Sequence, residues 1–408
     1  MSNHTIEIIN ISPCIIPESE KYSRTPPRPE SLRPNDYQDK FDFKTLCYDV
    51  FFSENKVIFS GPPLYGLKNF IEKGNFYLDN KDYSKKINTI ELDRLQINYI
   101  DQITKKPKIL KWKYNNLSFD IKINDNLLEK LKDKKVLFTL SKNNKFEWIS
   151  DWILFYKKNH EIDTVLFYDN NSDNYSLEEL KKYLEKQNLD INIYLVPWNF
   201  KYGPQGGIYS GKGKTPWDSD FCQYGMFEHA KHKFLKYSAG VINADIDELI
   251  ITPKGESIFK LLDQNKGLIY PGFWIQSIPL DKNKETRFFN YAYRSKNDKH
   301  TDYKWCINPS KLDDLTQWKV HSIRKVSLKK IKGLYYSHFK AINYNWKTLR
   351  TNNITFNNSI HYIDQKTYSR LNITFPDDSP KLKFISTRKN ILEKFKKFLN
   401  HYKNGSSI

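Results

Sequence analysis

The stretch VINADIDELIITP, residues 241 to 253, decides the reading of this 408-residue chain. An apolar run leads into Asp245, Ile246, Asp247 and Glu248, and a second apolar run leaves them. On an extended backbone, carboxylates at spacing two point to the same side and share one divalent cation. A cation held at the carboxyl end of a buried strand neutralises the phosphates of a bound nucleotide diphosphate and of the leaving group. D-x-D alone is a common tripeptide, and Asp245 is also a turn-capping type. The weight comes from the setting, because the chain upstream alternates strand-like and helix-like segments.

That alternation begins at residue 134. KKVLFTLS, DTVLFYD and INIYLVP are short apolar runs of the kind buried strands show. Between them, EWISDWILFYKKN puts Trp148, Ile149, Trp152, Phe155 and Tyr156 on one helical face. SLEELKKYLEKQ opens with Ser176 and has Glu179 three residues on, a capping box. DSDFCQYGMFEHAKHKFLKYS reads as a long helix, GVINADID as a strand, ESIFKLLDQ as a helix and GLIYPGFWIQS as a strand. The pattern predicts an α/β fold, a mostly parallel sheet covered by helices, with ligands beyond the carboxyl ends of its strands.

Outside this core, residues 1–36 are rich in Pro, Ser and charge and read as an extended or poorly ordered arm. Residues 37–130 read as a small β-rich region and 131–375 as the main domain. Residues 376–408 carry a basic amphipathic helix over 389–403, which suits either an anionic membrane surface or packing on the domain. Hydrophobic residues make up 39%, enough for a sizeable core, and no run reaches the ~18 residues of a membrane span. The start shows no signal-peptide pattern. Cys14, Cys47, Cys222 and Cys306 are scattered, with neither metal nor disulfide spacing, which fits a reducing, cytoplasmic compartment. The net charge of +19 favours polyanionic partners, yet no nucleic-acid-binding signature accompanies it.

Several motifs are absent. The loop KYGPQGGIYSGKGKTP (201–216) lacks the order of a P-loop and reads as a flexible surface loop. EHAKH (228–232) has its His at spacing three, not the H-E-x-x-H arrangement, and reads as a solvated helix face. No G-x-S-x-G is present, so nucleophilic hydrolysis has no support.

FYDNNSDN (167–174), Gln223 and INADIDELI (242–250) resemble glycosyltransferase family 92 and related bacterial GT-A enzymes. KWCINP (304–309), WKVHSI (318–323) and SHFKAINYNW (337–346) follow in the order that group shows. The resemblance implies a GT-A, Rossmann-like αβα sandwich with N- and C-terminal additions. It implies a hexosyltransferase-like enzyme using a nucleotide-sugar, most often a UDP-sugar, with Mn²⁺ or Mg²⁺ and inversion at the anomeric carbon. Asp245 and Asp247 are then metal and diphosphate residues, with Asp247 the more direct ligand. A third ligand comes from downstream, with His321 the first choice and His338 the second; neutral imidazole suits Mn²⁺ beside carboxylates. Asp169 and Asn171 are donor-site candidates able to accept from ribose or base, although D-N-N-S-D-N is equally a turn sequence. Thr139 and Lys142 are candidates of the same kind. Gln223 is placed to touch the donor or orient Asp245. A base that deprotonates the acceptor hydroxyl is sought among Asp281, Glu285, Asp298 and Asp302. The expected acceptor is a surface glycan or lipid-linked glycan, met in the cytoplasm at the inner membrane face. Two other classes use the same features: a nucleotidyltransferase or sugar-phosphate transferase on the same carboxylates, and a non-enzymatic polyanion binder.

Overall fold

A computed structural model describes residues 4–204, 217–343 and 354–381. Its frame is a nine-stranded sheet, with β1 (Ile6–Ile8), β2 (Lys135–Ser141), β3 (Thr164–Asp169), β4 (Asn192–Pro197), β5 (Gly240–Asn243), β6 (Glu248–Ile251), β7 (Gly267–Ile275), β8 (Tyr303–Ile307) and β9 (Tyr335–Phe339). Across the sheet the order is β1-β4-β3-β2-β5-β8-β7-β9-β6. All strands run one way except β8 and β6. β2 to β5 are buried on both faces, which is why they appear in sequence as continuous apolar runs.

Five helices accompany the sheet: α1 (Phe146–His160), α2 (Leu177–Lys186), α3 (Phe221–Ala230), α4 (Ile258–Leu262) and α5 (Gln365–Thr374). Alternate residues of the strands feed two cores. Leu137, Val165, Phe167, Ile193 and Leu195 meet Trp152, Phe155, Leu180 and Leu371 on one face. Val136, Phe138, Leu166, Tyr168 and Val196 meet Met226, Phe227, Phe234 and Trp305 on the other. The expected αβα sandwich with a mostly parallel sheet is therefore present. The capping box of α2 forms as read, Glu179 donating its N–H to Ser176 Oγ at 3.3 Å and Ser176 its N–H to Glu179 Oε2 at 2.7 Å.

Two readings need correction. The EHAKH segment is not solvated: Glu228, His229 and Lys231 are buried, as are all ten residues of α3. The reason lies in residues 37–130, which form a five-stranded and a four-stranded sheet. The first of these covers α3, so the helix has protein on both sides. Gly225 marks the approach, since a Cβ there would fall 2.2 Å from the Tyr48 ring.

The segment before residue 37 is extended but not loose. Ile6–Ile8 add to the edge of the central sheet beside β4, and Arg28 binds Asp218 in a fork at 2.7 and 3.0 Å. Partners about 190 residues away in sequence tie it down. The four Cys are free thiols, and Cys14 and Cys47 stand opposite each other on paired strands. Among the described residues no helix is long and apolar enough to cross a membrane. The basic segment 389–403 and most of the glycine loop lie outside the described residues.

His160 closes α1 in full burial. Its Nδ1 accepts the Ile258 N–H at 3.3 Å and its Nε2–H donates to the Ile250 carbonyl at 3.0 Å. Burial lowers its pKa to about 4, below the unfolded value of about 6.5. The unfolded chain therefore takes up this proton first as pH falls. The contribution is complete above pH ~6.5 and is lost on acidification through pH ~4, with a span of about 3 kcal/mol. A His160→Gln variant should be less stable than wild type at pH 7, and the gap in melting temperature should close toward pH 4. A gap independent of pH would remove this explanation.

Candidate active site

The chain lays down β2, β3 and β4 in one direction and then returns to place β5 on the other side of β2. The crevice where the order reverses, at the carboxyl ends of β2 and β5, is where open α/β sheets bind ligands. Asp245 and Asp247 follow directly from the end of β5 at Asn243.

They do not extend the strand, as the sequence pattern suggested. Glu248 donates its N–H to the Asp245 carbonyl at 3.1 Å and accepts the Asp245 N–H on Oε2 at 2.9 Å. The resulting turn sends the two carboxylates to different partners. Asp245 Oδ2 lies 2.8 Å from Lys304 Nζ, and Asp247 Oδ2 lies 3.0 Å from His338 Nε2.

Strand register brings these groups together. Glu248 opens β6 and pairs with His338 on β9, and Trp274 on β7 pairs with His338 from the other side. The Trp274 ring stacks on the imidazole at 4.1 Å with an interplanar angle of 21°, which fixes its plane. β8 runs against its neighbours, so its amino-terminal end arrives at the carboxyl edge of β5 and delivers Lys304.

Three acidic side chains within four residues would repel one another without a cation. Lys304 is buried and reaches Glu248 Oε2 at 3.2 Å as well as Asp245. Burial disfavours its ammonium, but the two carboxylates overcome this and hold it above the ordinary lysine range. Burial likewise raises Asp245, and Lys304 more than compensates, so that carboxyl sits below its usual range. Glu248 goes the other way: burial pushes it up to about 7, with Lys304 pulling against the rise.

Among the described residues no group of three or more His, Cys, Asp or Glu is gathered as a metal cage. Asp247 Oδ2 and His338 Nε2 are hydrogen-bonded to each other, and the same two atoms would also serve as neighbouring ligands of a small divalent cation. Adjacent ligands of an octahedral ion with bonds of roughly 2.1 Å stand about 3.0 Å apart, which is the separation found between Oδ2 and Nε2. Such ions take their remaining ligands from water and substrate phosphates rather than from complete protein cages. His321 is placed differently: its Nδ1–H donates to the Tyr303 carbonyl at 2.9 Å and its Nε2 faces Asp302 Oδ2 at 3.7 Å.

On the β2/β3 side, Asp169 is buried, with both oxygens engaged. It accepts from Ser172 N and Oγ at 3.0 and 2.6 Å and from Tyr175 Oη at 3.1 Å. Asn171 is exposed in the left-handed region at φ 58°. Both residues have the geometry of the turn that the D-N-N-S-D-N composition also suggested. The neighbouring Asn170 donates from Nδ2 to the Trp198 and Phe200 carbonyls. Lys142 Nζ is 3.9 Å from Asp173. Thr139 is buried, and its hydroxyl has no hydrogen-bond partner among the described residues. Gln223 accepts from Tyr202 Oη at 2.6 Å.

The acidic candidates for a base separate clearly. The Glu285 side chain is 82% exposed, beside Arg287. Asp281 accepts the Asn283 N–H within its own loop. The Asp302 side chain is 80% exposed, facing His321. Asp298 is the half-buried one: Gln276 donates to it, and Lys340 Nζ stands 4.0 Å away. Lys340 in turn lies over the Trp274 ring that stacks on His338.

Lys304 and Trp274 were not singled out from the sequence. The available signal was a lysine inside the apolar run YKWCI, since a lysine in a buried strand needs a carboxylate partner.

Glycosyltransferase family 92 matches residues 138–377. That span is more than half of the chain, and the protein belongs to this family. No curated protein sequence matches it. Partial overlap exists with Core-mannan synthase A from Aspergillus fumigatus in its Mn/GDP form, at 13% identity over 36% of this chain and 45% of that one, TM-score 0.24. It also exists with an active-site mutant of LgtC, at 14% identity over 43% and 58%, TM-score 0.24. For TarS of S. aureus the values are 10% over 51% and 60%, TM-score 0.28. In each case the overlap spans less than two thirds of the other protein.

Proposed function

We propose that this protein is a metal-dependent, inverting glycosyltransferase that moves a sugar from a nucleotide-sugar, a UDP-sugar, to a hydroxyl of a glycan. The observation that carries the reading is the 3.0 Å pair of Asp247 Oδ2 and His338 Nε2 beside the carboxyl end of β5. Asp247 and His338 would hold Mn²⁺ or Mg²⁺, which when bound neutralises the diphosphate and the departing nucleoside diphosphate. Trp274 keeps the imidazole plane fixed, and Lys304 fixes Asp245. In this reading Lys142, Asp169 and Asn171, which lie at the carboxyl ends of β2 and β3, would meet the nucleoside part, with Thr139 and Gln223 behind them.

Asp298 is the base in this reading. Its carboxylate takes the proton of the acceptor hydroxyl as that oxygen bonds to the anomeric carbon and the bond to the diphosphate oxygen breaks. Gln276 and Lys340 hold it in place. The net charge of +19 suits an anionic, lipid-linked or surface glycan acceptor at the inner face of a membrane.

The test is a panel of nucleotide-sugars with Mn²⁺ and a glycan acceptor, with the released nucleotide identified. Nucleoside diphosphate with an inverted linkage is expected. Nucleoside monophosphate or pyrophosphate would instead mark a sugar-phosphate or nucleotidyl transfer. Asp298→Asn should lower kcat by about a hundredfold or more while leaving Mn²⁺-dependent nucleotide binding intact. Activity within fivefold of wild type would exclude Asp298 as the base.

A further inference from the structure

We propose that Cys14 and Cys47 form a reversible disulfide that locks the N-terminal arm onto the β-rich region of residues 37–130. Neither cysteine takes part in the donor-site reading above.

The geometry comes from strand register. The short strands Cys14–Ile15 and Thr45–Cys47 pair antiparallel, with Cys14 directly opposite Cys47. The register shifts between Cys14 and Ile15, which leaves this facing pair intact. Residues directly opposite on antiparallel strands have Cα atoms roughly 4.5 or 5.5 Å apart. A disulfide spans about 4.4–6.8 Å between Cα atoms, so either kind of pair admits it. Both side chains enter the same core, the one that holds Val50, Phe59 and Trp112. The two thiols are hydrogen-bonded to each other. Bonds on either side hold the register. Ser12 donates its N–H to Asp49 Oδ1 at 2.7 Å, and Ile16 donates its N–H to the Lys44 carbonyl at 2.9 Å. The other two cysteines are placed differently: Cys306 on β8 faces Ile242 and Leu268, and Cys222 lies within α3.

Burial sets the pace of the chemistry. It pushes the Cys14 thiol above its ordinary range, and the thiolate is the reactive form. The closed pair therefore reacts slowly, and exchange begins when the two-residue strand Cys14–Ile15 opens. One thiolate of the pair attacks a sulfur of a small disulfide such as glutathione disulfide and releases one small thiol. The second thiolate displaces the other small thiol, and the Cys14–Cys47 bond forms. Two electrons pass to the small disulfide, and the two protons end on the released thiols. Excess thiol reverses the exchange.

The bond closes a loop over residues 14–47. That loop carries Arg24, buried and 3.2 Å from Asp42, and Arg28 in its fork with Asp218. Closing it removes freedom from the unfolded chain and leaves these contacts in place.

The experiment equilibrates the full chain with glutathione disulfide, or with dithiothreitol, at mildly alkaline pH. Remaining thiols are alkylated under denaturing conditions, and the chain is digested without reduction and mapped by mass spectrometry. The oxidised sample should contain two peptides joined through Cys14 and Cys47, lighter by two hydrogen atoms than the reduced pair, with Cys222 and Cys306 alkylated. Its melting temperature should rise by roughly 2–5 °C and fall back on reduction. Cys14→Ala and Cys47→Ala should show no such rise. Four alkylated cysteines after exposure to glutathione disulfide overturn the proposal, as does Cys14 or Cys47 joined only to glutathione or to another cysteine. A Cys14–Cys47 bond that leaves the melting temperature unchanged overturns the lock.

Discussion

Asp247→Asn should lower turnover by about a thousandfold or more and abolish the Mn²⁺-dependent part of nucleotide binding. A metal acting on a developing phosphate charge supplies several kcal/mol, and about 4 kcal/mol corresponds to three powers of ten. Asparagine keeps the volume and the oxygen but removes the charge, so packing around β6 and β9 is preserved. His338→Ala should cost less in charge, yet it removes the proposed second ligand and the partner of the Trp274 ring. Initial rates with a nucleotide-sugar measure the first effect, and thermal shift with UDP, with and without Mn²⁺, measures the second. An Asp247→Asn enzyme that retains a tenth of wild-type rate, or shifts with UDP and Mn²⁺ as wild type does, would disprove this assignment.

The largest stability effect is expected far from the crevice, at Asp49. This carboxylate is fully buried between residues 37–130 and α3. It accepts from Lys233 Nζ at 2.6 Å, His229 Nε2 at 3.0 Å, Asn124 Nδ2 at 2.7 Å and Ser12 N at 2.7 Å. His229 Nδ1 in turn accepts from Tyr168 Oη on β3 at 2.7 Å. Burial opposes the charge on Asp49, but Lys233 and His229 outweigh it and lower its pKa to about 2. That contribution is present above the unfolded value of about 3.9 and is lost as pH falls through 2.

Asp49→Ala leaves the Lys233 ammonium buried without its carboxylate, a loss of about 3–5 kcal/mol. The melting temperature should fall by roughly 3–6 °C, read by calorimetry at pH 7. Asp49→Ala with Lys233→Met removes both charges and should recover part of that loss. A drop below about 2 °C for the single variant would mean that the network does not join the two parts of the chain.

This network shows why the segment around α3 was misread. Glu228, His229, Lys231 and Lys233 have the composition of a solvated face, and no spacing in EHAKHK announces a partner at Asp49. For the same reason the Pro-rich start reads equally as extended or poorly ordered, since Arg28 is held by Asp218 from another part of the chain. By contrast, α1, α2 and the strands β2 to β4 were readable because local periodicity and the Ser176–Glu179 box carry their own signal.

The site divides along the same line. Asp245 and Asp247 were legible as carboxylates at the end of an apolar strand, since burial leaves a mark on the neighbouring residues. Their separation into a lysine-bound and a histidine-bound carboxylate was not, because the turn closed by Glu248 rotates them apart. Lys304 and His338 reach them only through the registers of β8 and β9. Hydrophobic periodicity and capping act over a few residues, so the sequence alone determined the αβα class and the position of the acidic turn. Which basic side chain each carboxylate meets depends on strand order and register, contacts made across dozens of residues, and only the tertiary structure decided that.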